Sequence, residues 1–509
     1  MNIFEKIKLN KVKSNVFDLS HDLKTSFRMG ELIPTLVMDC IPGDIVSLNV
    51  QNMLRTIPMV SPMMQKVDVT THYYFVPNRI LWEEFPDWIS GNVDVEAPYL
   101  DLPTALNTQS IGNFLGLPLT NNAGYKVSPL PLAAYYKIWD EYYRDQNLQD
   151  EEFTPLVAGD NAANYNWANL PLRRAWQRDY FTACLPFAQK GDDVLLPITG
   201  GSADVTLKSG LLPESNQVYV DATDGSPATN QQVNINGQVL FGSVEGGLRM
   251  DPNGTLEVDL GAGSADIRSV RTAFRLQEFL ERDARGGTRY IEKILAHFGV
   301  RSSDARLNRP EYIGGAKQAL TISEVLSTAL TIDKLNNEIP VGNMAGHGIS
   351  VGMGREFKYR CEEHGYIIGI INVQPKASYY QGIPKHFQRF DILDYPWPTF
   401  AHIGEQEVYN REIYSAQDPA IGDQVFGYIP RYSEMKTIPN KITGEMQTNF
   451  NFWHQAREFS TPPALNDTFI KCVPDDRVFV TGDGSEIIAH IFHDLKAVRK
   501  LPKFSIPTI

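Results

Sequence analysis

The sequence predicts a mainly β chain, one β-sandwich built from segments far apart along the chain, with most residues left to long loops. Strand-like runs lie towards both ends of the 509 residues, while helical periodicity is confined to the middle. The composition, with 22 Tyr, 25 Phe and 32 Pro, leans towards β-structure with ordered loops. Between two Arg- and aromatic-rich cassettes lies an acidic, Gly/Asn-rich stretch, residues 191–267, holding 2 Lys/Arg against 11 Asp/Glu. It therefore carries −9 of the chain's net charge of −13. Self-repelling, turn-rich sequence of that kind fits a solvated excursion better than a core.

The elements follow in order. Residues 1–30, with Lys6, Lys8, Lys11, Lys13, Lys24 and Arg28, read as a basic N-terminal arm. Residues 31–190 hold the first part of the sandwich. LIPTLVMDCIPGDIVSLNV and KVDVTTHYYFVPNRILW are strand-like, and in the second Val67, Val69 and Thr71 alternate with Asp68, Thr70 and His72, giving one core face and one polar face. In PLAAYYKIWDEYYRDQ, Leu132, Tyr135, Tyr136, Trp139 and Tyr143 recur at three and four, which predicts a helix. PLRRAWQRDYF, with Pro171 near its start, predicts a second.

Within the insertion, the turn signals DGSP and DPNG separate short β-prone runs such as VNINGQVLFG and TLEVDL. Residues 268–495 resume the sandwich. AFRLQEFLERD predicts a helix using Phe274, Leu276, Phe279 and Leu280 as one face, interrupted at Gly286-Gly287 before TRYIEKILAHFG. GREFKYRCEE, HGYIIGIINVQPK and FIKCVPDDRVFV return to strand, and residues 496–509 form a basic C-terminal tail. No internal repeat and no Ser/Gly linker marks a second independent domain.

Chemistry-bearing motifs are sparse. Cys40, Cys184, Cys361 and Cys472 have no CxxC or Cys/His spacing, so reduced, buried thiols are expected, as for a chain made in a cytoplasm. No apolar run is long enough to span a bilayer, and the basic start lacks the apolar stretch of a secretory leader. GHGISVGMG, with glycines 346, 348, 352 and 354, superficially suggests a phosphate loop. The sequence predicts a strand after it rather than a helix, so structural turns are expected instead. His490, His493 and Asp494 would share one side of a helix but lack the further ligands a metal needs. Glu83-Glu84, Glu362-Glu363 and Asp475-Asp476 read as solvated charge. With no GxSxG, Cys-His or kinase signature, the chain is expected to be neither an enzyme nor a cofactor or metal binder.

The cations are more informative. Lys6, Lys8, Lys11 and Lys13 at one end, and Lys496, Arg499, Lys500 and Lys503 beside Phe504 at the other, combine charges that neutralise phosphates with a ring that stacks on unpaired bases. The alternative is ordinary termini in salt bridges. RRAWQR and Arg271, Arg275, Arg282, Arg285 and Arg289 suit packed contacts with carboxylates and aromatic faces. Tyr/Trp/Pro loops such as YPWPTF could either serve contacts between subunits or cap the subunit's own sandwich.

PLRRAWQRDYFTACLPFAQKG followed by RLQEFLERDARGGTRYIEKILAHFGVRSSDARLNRPEYIGG strongly resembles the major capsid protein of the Microviridae, in particular its gokushovirus-like members. FRMGELIPTLVMDCIPGDIVSLNVQNMLRTIPMVSPMM and YPWPTFAHIGEQEV extend the resemblance to essentially the whole chain. The resemblance implies a single eight-stranded antiparallel jelly roll with long loop and helix-containing insertions. It also implies self-assembly of sixty copies into a T=1 icosahedral shell around circular single-stranded DNA, with a small basic DNA-associated protein and minor or pilot virion proteins as companions. Residues 191–267 occupy the place of the threefold protrusion through which relatives are proposed to meet a bacterial receptor. A jelly-roll carbohydrate- or receptor-binding protein is the alternative, since fold does not fix function.

Overall fold

This computed structural model describes residues 14–120, 124–192, 194, 267–326, 344–480 and 484–503, less positions 355 and 417, together with six two-residue strands between 206 and 339. Residues 189–282 group as a unit apart from the one formed by 1–188 with 283–509.

The larger unit is organised by one antiparallel sheet of ten strands: β1 (Asn15–Asp18), β2 (His21–Phe27), β3 (Ile33–Cys40), β4 (Ile45–Thr56), β5 (Val67–Pro77), β6 (Glu311–Leu326), β7 (Met344–Met353), β8 (Phe357–Arg360), β9 (Gly365–Pro375) and β10 (Ile487–Arg499). The order is β1-β10-β4-β7-β6-β5-β9-β3, with β2 also on β10 and β8 on β4. The sheet curls as the jelly-roll capsid fold requires, and its neighbours come from opposite ends of the chain.

Alternation sets the register. In β4, Val46, Leu48, Val50 and Leu54 point inward, and in β10 Ala489, Ile491, His493, Leu495 and Ala497 do so. The strands pair so that these sets coincide: Leu48 faces Leu495, Val46 faces Ala497 and Leu54 faces Ala489. A one-residue slip would turn both sets outward. The inner core they share gathers Phe27, Met29, Leu36, Val67, Val69, Tyr73, Phe75, Ile367, Ile371 and Ile491.

β5, between β6 and β9, is buried on both faces. Its second face carries Tyr74 and Val76 into another core with Leu32, Ile368, Ile370 and helix α1 (Leu130–Tyr142). Thus the face expected to be polar is covered. Asp68 meets Lys317 Nζ at 2.9 Å, Lys376 Nζ at 3.3 Å and Gln177 Nε2 at 3.1 Å, Thr70 accepts from Arg174, and His72 meets the Tyr143 hydroxyl at 2.8 Å. The helix is buried nearly all round, Leu132, Tyr135, Tyr136 and Trp139 included, with Tyr143 capping its end.

Several expected elements differ. The segment 171–179 is extended, not helical: its backbone is tied to Gly30, Ile470 and Cys472, leaving no helical partners. FIKCVPDDRVFV contributes one short helical turn, Asp467–Ile470, capped by Asn466, rather than a strand. GHGISVGMG is part of β7, not turns. Its glycines permit close approach, since a Cβ on Gly346 would stand 2.6 Å from the Ser61 carbonyl oxygen and one on Gly348 would stand 2.7 Å from Thr56 Cγ2. β1 and β2 lie within the expected basic arm, paired to β10, and β10 itself runs to Arg499, four residues into the expected tail.

Helix α2 (Ile267–Gly286) ends where expected, Gly287 having φ +104°, and helix α3 (Tyr290–Phe298) follows, closed by Gly299 at φ +69°. Phe274 and Leu276 do not share a face, because residues two apart on a helix diverge, and both are exposed with Phe279. In the smaller unit, Thr206–Leu207 pairs with Leu256–Glu257, and Tyr219–Val220 pairs with Leu248–Arg249. VNINGQVLFG lies outside the described residues.

Candidate functional site

The paired ends of β1, β10 and β4 carry the described members of the basic set. Lys6, Lys8, Lys11, Lys13 and Phe504 lie outside the described residues. Strand alternation sends Lys496 outward while Leu495 and Ala497 are buried, and Lys500 and Lys503 are also exposed. Lys496 Nζ stands 3.9 Å from Asp494 Oδ1. Across the ladder, Asp18 pairs with Lys496; hydrogen bonds from Ser20 hold its carboxyl below the usual range, and the lysine adds to this.

Arg499 behaves differently. Its Nε lies 3.0 Å from Oδ2 of Asp44, whose side chain is fully buried, and its Nη2 donates to the Asp39 carbonyl at 2.6 Å. That guanidinium is committed to the fold, because a buried carboxylate without its partner is costly. The sequence-predicted set therefore divides into three exposed lysines and one structural arginine. Lys496 is held by the sheet register and Lys500 and Lys503 follow the strand's end, and such exposed ammonium groups can neutralise phosphates.

Most arginines of the other cationic cassettes make contacts within the chain. Arg173 donates to the Met29 and Cys472 carbonyls and pairs with Glu31, while Arg174 lies over the Tyr143 ring. Arg285 pairs with Glu405 and donates to the Tyr428 carbonyl, Arg289 reaches Glu141 and Glu292, and Arg275 and Arg282 both bridge to Glu278. Arg271 is exposed.

His490 and His493 are on strand β10 rather than a helix, so three residues apart they point to opposite faces. His490 is exposed beside Asp22 at 3.1 Å, whereas His493 is buried under Tyr73 and stacked on His21. Burial pushes the His493 imidazole down to about 3, and neighbouring His21 adds to this. Among the described residues no cluster of His, Cys, Asp and Glu is arranged to hold a metal, and all four cysteines are buried and free.

A cavity of about 450 Å³ opens among Tyr180, Phe181, Tyr379, Lys385 and Ile438. The buried Glu412 beside it accepts from the Tyr180 hydroxyl at 2.9 Å and from Lys385 at 3.0 Å. That carboxylate is satisfied by its own chain and is a structural anchor of the loops.

Two surfaces carry exposed apolar side chains; of these, the sequence singled out only the YPWPTF part of the first. In loop 387–397, Phe390 is 89% exposed and Ile392 70%, with Phe387, Tyr395 and Trp397 also outward, so the YPWPTF segment does not cap the sandwich. On α3, Phe298 is 79% exposed and Leu295 52%. The available signal was apolar residues beside charges in a segment with no strand period.

The chain matches, over residues 5–509, the family described as Capsid protein (F protein). It is 32% identical to Capsid protein VP1 of Chlamydia phage 1, across 99% of this chain and 97% of that one. It is 34% identical to Capsid protein VP1 of Bdellovibrio phage phiMH2K, across 96% and 94%, and 29% identical to the protein of the same name from Spiroplasma virus 4, across 92% and 89%. With a curled antiparallel sheet and similarity running from end to end, the chain belongs to the phage Capsid protein (F protein) family and is a structural component of a virion.

Proposed function

We propose that this chain is the major capsid protein of a gokushovirus-like phage, assembling as sixty copies into a T=1 shell around circular single-stranded DNA. The observation that carries this reading is the end-to-end match to the capsid family, reinforced by relatives covered over nine-tenths of this chain's length. Synthesis takes place in the host bacterial cytoplasm, consistent with four free, buried cysteines. The exposed Lys496, Lys500 and Lys503 face the genome together with Lys6, Lys8, Lys11, Lys13 and Phe504, while Arg499 holds Asp44. Packaging draws on a small basic companion protein, since a subunit of net charge −13 does not neutralise DNA alone. Residues 191–267, which hold −9 of that charge, form the outward protrusion that meets a bacterial receptor; minor or pilot proteins complete the virion.

Electron microscopy with mass determination, on particles from cells expressing the chain with its neighbouring genes, tests the assembly. Closed sixty-subunit shells are expected; small discrete oligomers alone would favour a saccharide- or receptor-binding protein instead. Replacing Lys496, Lys500 and Lys503 together by Ala separates the interior assignment from stability. The free subunit should melt unchanged while the shells lose DNA per particle, or lose it at lower salt. Unaltered DNA content and salt dependence would remove those lysines from the genome-facing surface.

A further inference from the structure

Helix α3 is packed with its polar side inward. Lys293 Nζ and His297 Nε2 both reach the buried Asp283, at 2.9 and 2.8 Å, and Ala296 lies against Gly286. On the opposite side Leu295 and Phe298 are exposed, with Ile291 and Ile294 half-buried beside them, and no residue of this helix is buried. An amphipathic helix in a complete fold does the reverse, turning its apolar stripe to the core. Val300, 55% exposed, and then the exposed Arg301 and Arg306 follow the helix in the chain.

Loop 387–397 has the matching character. It is built to hold its shape: Asp394 Oδ2 accepts from the amides of Phe390 and Asp391, both at 2.8 Å, and Trp397 Nε1 donates to the Ile392 carbonyl at 2.9 Å. Its apolar side chains are nevertheless turned to solvent beside two exposed carboxylates, Asp391 and Asp394. An apolar stripe followed by arginines and an apolar loop bearing carboxylates are complementary in both respects. Different patches that complement each other make a heterologous contact, the kind that closes into rings.

We propose that α3 docks through Leu295 and Phe298 on loop 387–397 of a second copy of this chain, with Arg301 and Arg306 opposite Asp391 and Asp394. The contact rests on shell assembly but specifies one of its interfaces.

Hydroxyl-radical footprinting of the wild-type protein, comparing shells with free subunits, tests it without any variant. Phe298 and Phe390 should both be protected at least fivefold in shells. A double variant, F298C with I392C, then identifies the occupant: a short bismaleimide should join neighbouring copies into covalent ladders, while either single variant stays monomeric. The four native cysteines, all buried, keep the background low. Intact shells in which Phe298 is oxidised as fast as in free subunits would overturn the contact. Protection with no cross-link, or cross-linked dimers from F298C alone, would overturn the assignment of loop 387–397 as occupant. If no shells form from the wild-type chain with its neighbouring genes, the assembly reading itself fails.

Discussion

At the residue scale, the buried imidazoles make stability respond to acid. Burial lowers His493 to about 3 and His72 to about 4, from 6.5 in the open chain, with His21 and Arg174 respectively as secondary causes. The unfolded chain therefore binds the extra protons as pH falls below 6.5, and acid favours unfolding, each imidazole contributing about 1.4 kcal/mol per pH unit until its folded pKa is reached. Glu486 works in the other direction. Burial raises it to about 7 from 4.5, so its contribution is full below 4.5 and disappears as pH rises through 7. The two imidazoles outweigh it between pH 6 and 5. His493→Gln removes one of them, so from pH 6.5 to 5 the variant should lose about 2 kcal/mol less stability than the wild type, read from denaturant midpoints of the free subunit. Equal losses in the two proteins would mean that His493 does not titrate as described. None of this was legible from HIFHDL, where a helical reading put both histidines on one side; the strand, with His490 opposite Met53 and His493 opposite Val50, sends them to opposite faces and buries only His493.

At the element scale, one hydroxyl of α1 bridges two backbone segments. Tyr135 donates to the Leu32 carbonyl and accepts from the Leu172 amide, both at 2.9 Å, in a site with almost no solvent. Tyr135→Phe leaves two buried backbone groups unpaired and should cost about 2 kcal/mol or more. Tyr136→Phe, which loses a 3.3 Å contact with Asn169, should cost less than about 1 kcal/mol. Urea unfolding of the two variants checks the order, and equal costs would refute the bridging role. The helix was legible because its apolar spacing is local. Segment 171–179 has similar residues but is extended, because Ala175 bridges to Lys471 and Arg173 to Glu31, contacts that no window of the local sequence contains. The glycines of β7 misled for the same reason: what they make room for, Ser61 and Thr56, lies nearly three hundred residues earlier. The exposed lysines could be named from composition, but Arg499 could not be separated from them until Asp44 stood beside it.

At the scale of the whole molecule, long-range pairing makes the division of the chain testable. Every strand of the large sheet comes from residues 15–77, 311–375 or 487–499, and residues 189–282 form a contact unit of their own. The acidic, Gly-rich character of residues 191–267 departs from both flanks and was legible as composition, whereas the order of the strands came only with the coordinates. Joining residue 199 to 267 should therefore leave the sheet folded, since loop length between fixed ends changes stability only slowly. The expected outcome is an unchanged β-type circular dichroism spectrum and a melting temperature within about 2 °C of the wild type, an interval worth roughly 2 kcal/mol in a chain this large. Particles should then lose either their threefold protrusions or their adsorption to host cells. Collapse of the folded signal would show that 200–266 supports the sheet. Normal shells with normal adsorption would leave the acidic excursion without the attachment role proposed for it, and its charge would then serve only to keep assembled surfaces apart in solution.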